Sequence, residues 1–195
     1  MLGTGRLEAF SDGVLAIIIT IMVLELRAPE GVTLADLSPL LPVFLSYALS
    51  FINIGIYWNN HHHMLHVTHK VTSAILWANL HLLFWLSLIP FTAGWMGEHR
   101  FAATPTALYG VVFLMASFAY LILQQTIIRS EGSSSLLAQA VAADWKGKAS
   151  STLYLVAVPL ASIAPWLALS LYTLVALVWL IPDRRIERLT ATEPD

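Results

Sequence analysis

Apolar runs of membrane length alternate along this chain with short polar links. Four runs are plain, at residues 7–26, 39–62, 71–95 and 104–128, and the links between them carry Arg27, Glu30 and Asp36, then His66, His69 and Lys70, then Glu98, His99 and Arg100. About 20 apolar residues in helix cross a hydrocarbon core roughly 30 Å thick, so each run predicts one spanning helix. A fifth run, at residues 150–181, is long for one span and short for two, and it contains Pro159 and Pro165. Hydrophobicity alone leaves it as one kinked helix or two short ones.

Charge separates these topologies, because cytoplasmic loops collect Lys and Arg. With six spans, Arg6, Lys70, Arg129, Lys146, Lys148, Arg184, Arg185 and Arg188 share one side and only Arg27 and Arg100 the other; with five spans the split becomes even. Six helices are therefore expected, at about 4–26, 39–65, 71–96, 104–129, 148–163 and 165–182, in one all-α domain over 1–195 with both termini in the cytoplasm. Pro165 then falls in the first turn of the sixth helix, where a missing N–H is harmless. Trp58, Trp95, Trp145, Trp166 and Trp179 stand near segment ends, as interfacial anchors do. The linker 130–148 spaces Leu136, Leu137, Ala140, Val141 and Trp145 roughly as a short amphipathic helix would; a plain loop is the other reading. No internal repeat marks the two halves.

Composition agrees with a bilayer environment. Of 195 residues, 57% are hydrophobic and 11% charged, against roughly 25% charged in soluble domains. The expectation is a multi-pass protein of the cell membrane. A net charge of −2, with basic residues scattered to segment ends, excludes a nucleic-acid footprint. The absence of cysteine excludes disulfides and thiolate metal sites. A cleaved leader is not expected either, since Arg6, Glu8 and Asp12 open an apolar run that reaches Glu25 without a small-residue cleavage motif.

Asp12 is the exception inside the first run. A carboxylate in hydrocarbon costs about 2.5–3.5 kcal/mol on insertion scales, so it requires protein or water around it. By helical rise it lies about 8–10 Å in from the cytoplasmic end. Asn79 on the third helix and His61 and His62 on the second fall in the same inner half of the membrane. Ser11, Asp12, Asn79 and one or two histidines can therefore meet there, either as a polar lock between helices or in contact with a permeating species. His62, His66 and His69 are spaced i, i+4 and i+3, as metal ligands on one helix face are. Few carboxylates and no second matched motif accompany them, and no metal is expected.

Farther along the first helix, Ile17, Ile21 and Leu24 continue a stripe begun by Phe10 and Gly13/Val14, with Thr20 beside it and Glu25 and Glu30 beyond its outer end. Such a stripe serves helix packing or lipid contact. If several copies met around an axis, it would instead form a narrow apolar constriction below a cation-attracting mouth.

Arg6-x-x-x-Phe10-Ser11-Asp12, followed by Gly13 and an Ile/Thr-rich helix, resembles the Phe-Ser-Asp motif of the transmembrane protein 175 family, the lysosomal potassium channels and their prokaryotic relatives. Trp58-x-x-His61-His62, Leu76-Trp77-x-Asn79-Leu80 and Ile89-Pro90-Phe91-Thr92 are similar to the same family in order and spacing, so the likeness is carried by the first three predicted helices. It implies a homotetramer of six-helix subunits whose first helices line the pore, with the constriction at Ile17, Ile21 and Leu24 and Thr20 assisting cation passage. Arg6, Phe10, Ser11, Asp12, His61, His62 and Asn79 would form the packing network, and Glu25 and Glu30 the outer cation-attracting mouth. Potassium and other monovalent cations would be the permeant species, with no cofactor.

The Thr-Val-Gly-Tyr-Gly carbonyl filter is absent, which leaves pore size, dewetting and electrostatics for selectivity. Two other function classes stay open. A proton- or cation-coupled secondary transporter would use Asp12 and the His61–His63 cluster as a relay. An enzyme would need a nucleophile and base, paired carboxylates or a complete metal motif at membrane depth, and none appears, so no enzymatic activity is expected.

Overall fold

The computed structural model describes residues 3–141 and 145–180, and these are helical throughout apart from turns and links. Arg184, Arg185, Arg188 and the expected helix end at 182 lie outside the described residues. Helix α1 spans Thr4–Met22 and tightens into a 3-10 turn at Val23–Glu25. A link and a 3-10 segment, Leu34–Leu40, lead into α2, Leu41–His66, with Pro42 in its first turn. The third apolar run is two helices rather than one, α3 at Ser73–Ser87 and α4 at Ile89–Glu98. Pro90 explains the break: it donates no N–H and its ring collides with the carbonyl one turn back, so α3 stops before it. Thr72 caps α3, its hydroxyl accepting from Ile75 N at 3.3 Å.

A tight turn with Arg100 and Phe101 at positive φ (49° and 61°) reverses the chain into α5, Ala103–Glu131. The linker carries a short helix, α6, at Leu136–Val141. Helix α7 follows at Trp145–Ala161, and α8 at Pro165–Leu180 begins on the proline. Among the described residues, four segments are long and apolar enough to cross a membrane: Thr4–Glu25, Leu34–His66, Ser73–Glu98 and Ala103–Glu131. Pro165–Leu180 is a shorter apolar helix.

Helix α5 is the hub, packed against α3, α4, α7 and α8. Its Tyr109 and Phe113 rings pack at a tilt with centroids 4.8 Å apart; Tyr109 also packs at a tilt on Tyr172 of α8 at 5.7 Å, and Phe113 stacks on Tyr154 of α7 at 5.8 Å. Helices α2 and α4 approach closely where Gly97 lies under α2; a methyl there would sit 2.6 Å from Ser46 Oγ and 2.7 Å from Val43 Cα. Helix α1 lies at the side of this assembly against α2, α3 and α4. One of its faces is left uncovered.

Candidate functional site

Three faces of α1 have different fates, set by the helical period. Leu7, Ser11, Leu15, Ile18 and Met22 recur at three- and four-residue intervals and are buried against the neighbouring helices. Glu8 and Asp12, four apart, share the flank toward α2. Phe10, Ile17, Ile21 and Leu24 occupy the face turned away and are 53%, 58%, 43% and 74% exposed. Gly13 and Thr20 are exposed on that face too.

The buried face carries a hydrogen-bonded chain in which every direction is determined. Asn79 Nδ2 donates to Ser11 Oγ at 2.9 Å, and Ser11 Oγ donates onward to the Leu7 carbonyl at 2.9 Å. Asn79 Oδ1 can only accept, so the 2.7 Å contact with His61 requires the proton on Nε2. Ser11 and Asn79 are fully buried and His61 is 1% exposed. His61 Nδ1 is left without a partner among the described residues. With no acceptor facing that nitrogen, the neutral imidazole is the form this arrangement accommodates.

Asp12 does not join that chain. It turns to α2, where Trp58 Nε1 donates to its Oδ1 at 3.0 Å. One turn earlier Glu8 meets His62, with Oε1 and Nδ1 2.6 Å apart, and the Trp58 and His62 rings stack at 6.4 Å. Helix α1 is thus tied to α3 through Ser11 and to α2 through Glu8 and Asp12. Thr4 Oγ1 adds a bond to the Thr68 carbonyl at 3.1 Å beyond the end of α2. Sequence reasoning passed over Glu8 and treated Trp58 as an anchor and a motif residue. Their signals were the i, i+4 spacing of Glu8 to Asp12 and an indole N–H at the same depth. Arg6 is exposed and makes no side-chain hydrogen bond or ion pair among the described residues.

The histidines do not converge on one point. His62 stacks on His66 at 6.1 Å, while His69 turns to Glu131 of α5 at 3.4 Å. Glu131 Oε1 also accepts from the His69 and Lys70 backbone N–H groups at 2.9 and 2.8 Å. Among the described residues no three His, Asp or Glu side chains are grouped to hold a metal ion.

On the free face, the Thr20 hydroxyl donates to the backbone carbonyls of Ala16 and Ile17, both at 3.0 Å. Its proton is thereby committed to the helix, and the oxygen lone pairs remain to accept. Glu25 and Glu30 part ways. Glu30 is exposed in the link after α1. Glu25 folds onto α4, where a methyl at Gly94 would sit 3.1 Å from its carboxyl carbon, beside Ser46 and Tyr47 of α2. The rotation of α1 past Leu24 directs Glu25 into the subunit.

The family model described as "Endosomal/lysosomal potassium channel TMEM175" matches residues 6–90, which hold α2, α3 and nearly all of α1, with the Ser11–Asn79–His61 chain and the Asp12–Trp58 and Glu8–His62 contacts. Over 184 residues the chain is 55% identical to a potassium channel of Chryseobacterium sp. (strain P1-3), covering 94% of this chain and 96% of that protein. The chain belongs to the TMEM175 family. It is 32% identical over 189 residues to a potassium channel of Chamaesiphon minutus, covering 89% and 92% of the two. The crystal structure of a lysosomal potassium-selective channel TMEM175 homolog from Chamaesiphon minutus superposes with a TM-score of 0.80 at 27% identity, over 91% of this chain and 96% of that one. The human endosomal/lysosomal proton channel TMEM175 is 37% identical over 82 residues, 36% of this chain and 16% of the human protein. The relatives are ion channels, and this TMEM175-family protein is a membrane channel and not an enzyme.

Proposed function

We propose that the protein is a passive, potassium-preferring cation channel of the cell membrane, built as a homotetramer of six-helix subunits with both termini in the cytoplasm. The observation that carries this reading is the free face of α1. Phe10, Ile17, Ile21 and Leu24 are exposed in the subunit while the other faces of the same helix are bonded to α2 and α3. Four such faces around an axis enclose a column in which Ile17, Ile21 and Leu24 form successive apolar rings. Narrow apolar rings conduct only when wetted, so the rings set both the gate and the size limit on a dehydrating cation. The Thr20 oxygen, with its proton held by the backbone, offers a lone pair to a passing cation beside these rings. Glu30 attracts cations at the outer mouth, while Glu25 supports the outer end of α1 against α4.

In this reading Asp12 and its partners hold the pore helix and do not carry ions. The crossing of α7 and α8 as the fifth and sixth spans is supported by Arg184, Arg185 and Arg188 in the sequence, which join the side of Arg6 only if both helices cross. Potassium as the preferred ion rests on the names of the bacterial relatives.

Flux from proteoliposomes tests the proposal. The protein should dissipate a potassium gradient under an imposed voltage with no proton gradient present. Replacing Ile17, Ile21 and Leu24 together by alanine should raise sodium flux toward that of potassium. Transport that requires a proton gradient would instead favour the coupled carrier using Asp12 and the His61–His63 cluster. Unchanged ion preference in the triple variant would remove the apolar rings from the mechanism.

A further inference from the structure

On the side of α2 away from α1, a cavity of about 60 Å³ lies between α2, α5, α7 and α8. Asn53, Tyr57 and Asn60 line it from α2, Tyr154 from α7 and Trp179 from α8. Tyr154 is 3% exposed, yet its hydroxyl has no hydrogen-bond partner among the described residues; the same holds for the hydroxyl of Tyr57. Neither oxygen is among the sealed polar atoms without a partner, so both open onto accessible space. Asn53 and Asn60 spend their amide N–H groups on the Leu49 and Ile56 carbonyls at 2.9 and 2.8 Å. Their amide oxygens are left as acceptors.

We propose that this cavity is a hydration site, holding a small cluster of ordered water bonded to the Tyr57 and Tyr154 hydroxyls and the Asn53 and Asn60 amide oxygens. Chemistry and size select the occupant. Two phenols that donate and accept, together with two amide oxygens that only accept, require a partner that does both. A cation is disfavoured by Lys146, buried at 9% exposure with Nζ 5.8 Å from the centre of the Trp179 ring. Orphaned amide oxygens disfavour an anion. A water needs roughly 10–15 Å³ of such space and two to four polar partners, whereas a cavity that takes benzene is about 150 Å³. The space suits a few waters and is well short of what an aromatic ring needs.

Trp179 Nε1 donates to Ser150 Oγ at 2.7 Å and Ser150 Oγ to the Lys146 carbonyl at 2.8 Å, which closes the α7–α8 side of the site. Helix α2 is held by direct bonds to α1 and α3 at Trp58, His61 and His62 and to α5 at Ser50 and Asn60, the Asn60 carbonyl accepting from the Tyr120 hydroxyl at 3.3 Å, while the water adds contacts at the Asn53 and Asn60 amide oxygens and the Tyr57 hydroxyl.

A high-resolution structure of the purified protein, taken with and without xenon pressure, reads the cavity directly, and thermal unfolding of Tyr154→Phe and Tyr57→Phe reads its energetics. The expected result is water density within hydrogen-bonding distance of both phenols, no xenon there, and a lower unfolding midpoint for each variant. Xenon or acyl-chain density in the cavity would overturn the proposal. So would a midpoint unchanged or raised in both variants, because removing a hydroxyl that bonds to nothing costs nothing.

Discussion

Ser11 and Asp12 are adjacent in the chain, 100° apart around the helix, and bonded to different partners. Ser11 reaches Asn79 on α3, and Asp12 reaches Trp58 on α2. Asn79 is the pivot of the buried chain, since its carbonyl oxygen receives His61 and its amide N–H serves Ser11. Replacing Asn79 by leucine strands the buried His61 Nε2–H and removes one of the two bonds of Ser11, which keeps its bond to the Leu7 carbonyl. Orphaned groups cost about 1–3 kcal/mol each in soluble proteins, but polar contacts between membrane helices average nearer 0.6 kcal/mol. The expected loss is therefore on the order of 1–3 kcal/mol in total. Asp12→Asn keeps an oxygen for the Trp58 indole and should cost less. Thermal unfolding of the two variants in detergent checks the order: a more damaging Asp12→Asn would move the main lock from α3 to α2.

Close approach at the level of elements depends on small residues. Gly97 of α4 lies against the Val43 backbone and the Ser46 side chain of α2. The nearest obstacles include a backbone atom that cannot rotate away, so Gly97→Ala must push α2 and α4 apart. Overpacking of this kind costs about 1–3 kcal/mol. Gly13→Ala is the control, because nothing lies within 4 Å of the added methyl. In a detergent unfolding experiment Gly97→Ala should lower the midpoint, and Gly13→Ala should leave it unchanged or raise it slightly through helix propensity. Gly13→Ala should nevertheless alter conductance if that face lines the pore. Pro90 works at the same scale: it divides the third span into α3 and α4, and α4 packs against α2 and Glu25.

At the scale of the whole molecule, the uncovered face of α1 calls for a partner surface. It runs from Phe10 to Leu24, and α2 adds exposed Phe44, Leu45, Phe51 and Ile52. Lipid can cover such surfaces, but lipid offers nothing to Thr20, whose oxygen stands among them. Images of the purified protein in detergent should have four-fold symmetry with α1 nearest the axis. A monomer, or an assembly with α1 at its rim, would remove the basis for the apolar rings.

By itself the sequence determined the all-helical class, the four long spans and the identity of the unusual residues. Run length and polarity are local properties, and a carboxylate, an amide or a proline inside an apolar run stands out without reference to anything else. The helical period also made the Ile17, Ile21 and Leu24 stripe visible in one dimension. Azimuth between helices was not legible. Whether Asp12 faces Asn79 or Trp58, whether Glu25 points to the axis or to Gly94, and that Glu8 pairs with His62 depend on how each helix is rotated and shifted against its neighbours. Only packing decides that rotation, because it is set by the summed fit of side chains far apart in the chain. The polar pairs then form between whichever groups the packed helices bring within reach.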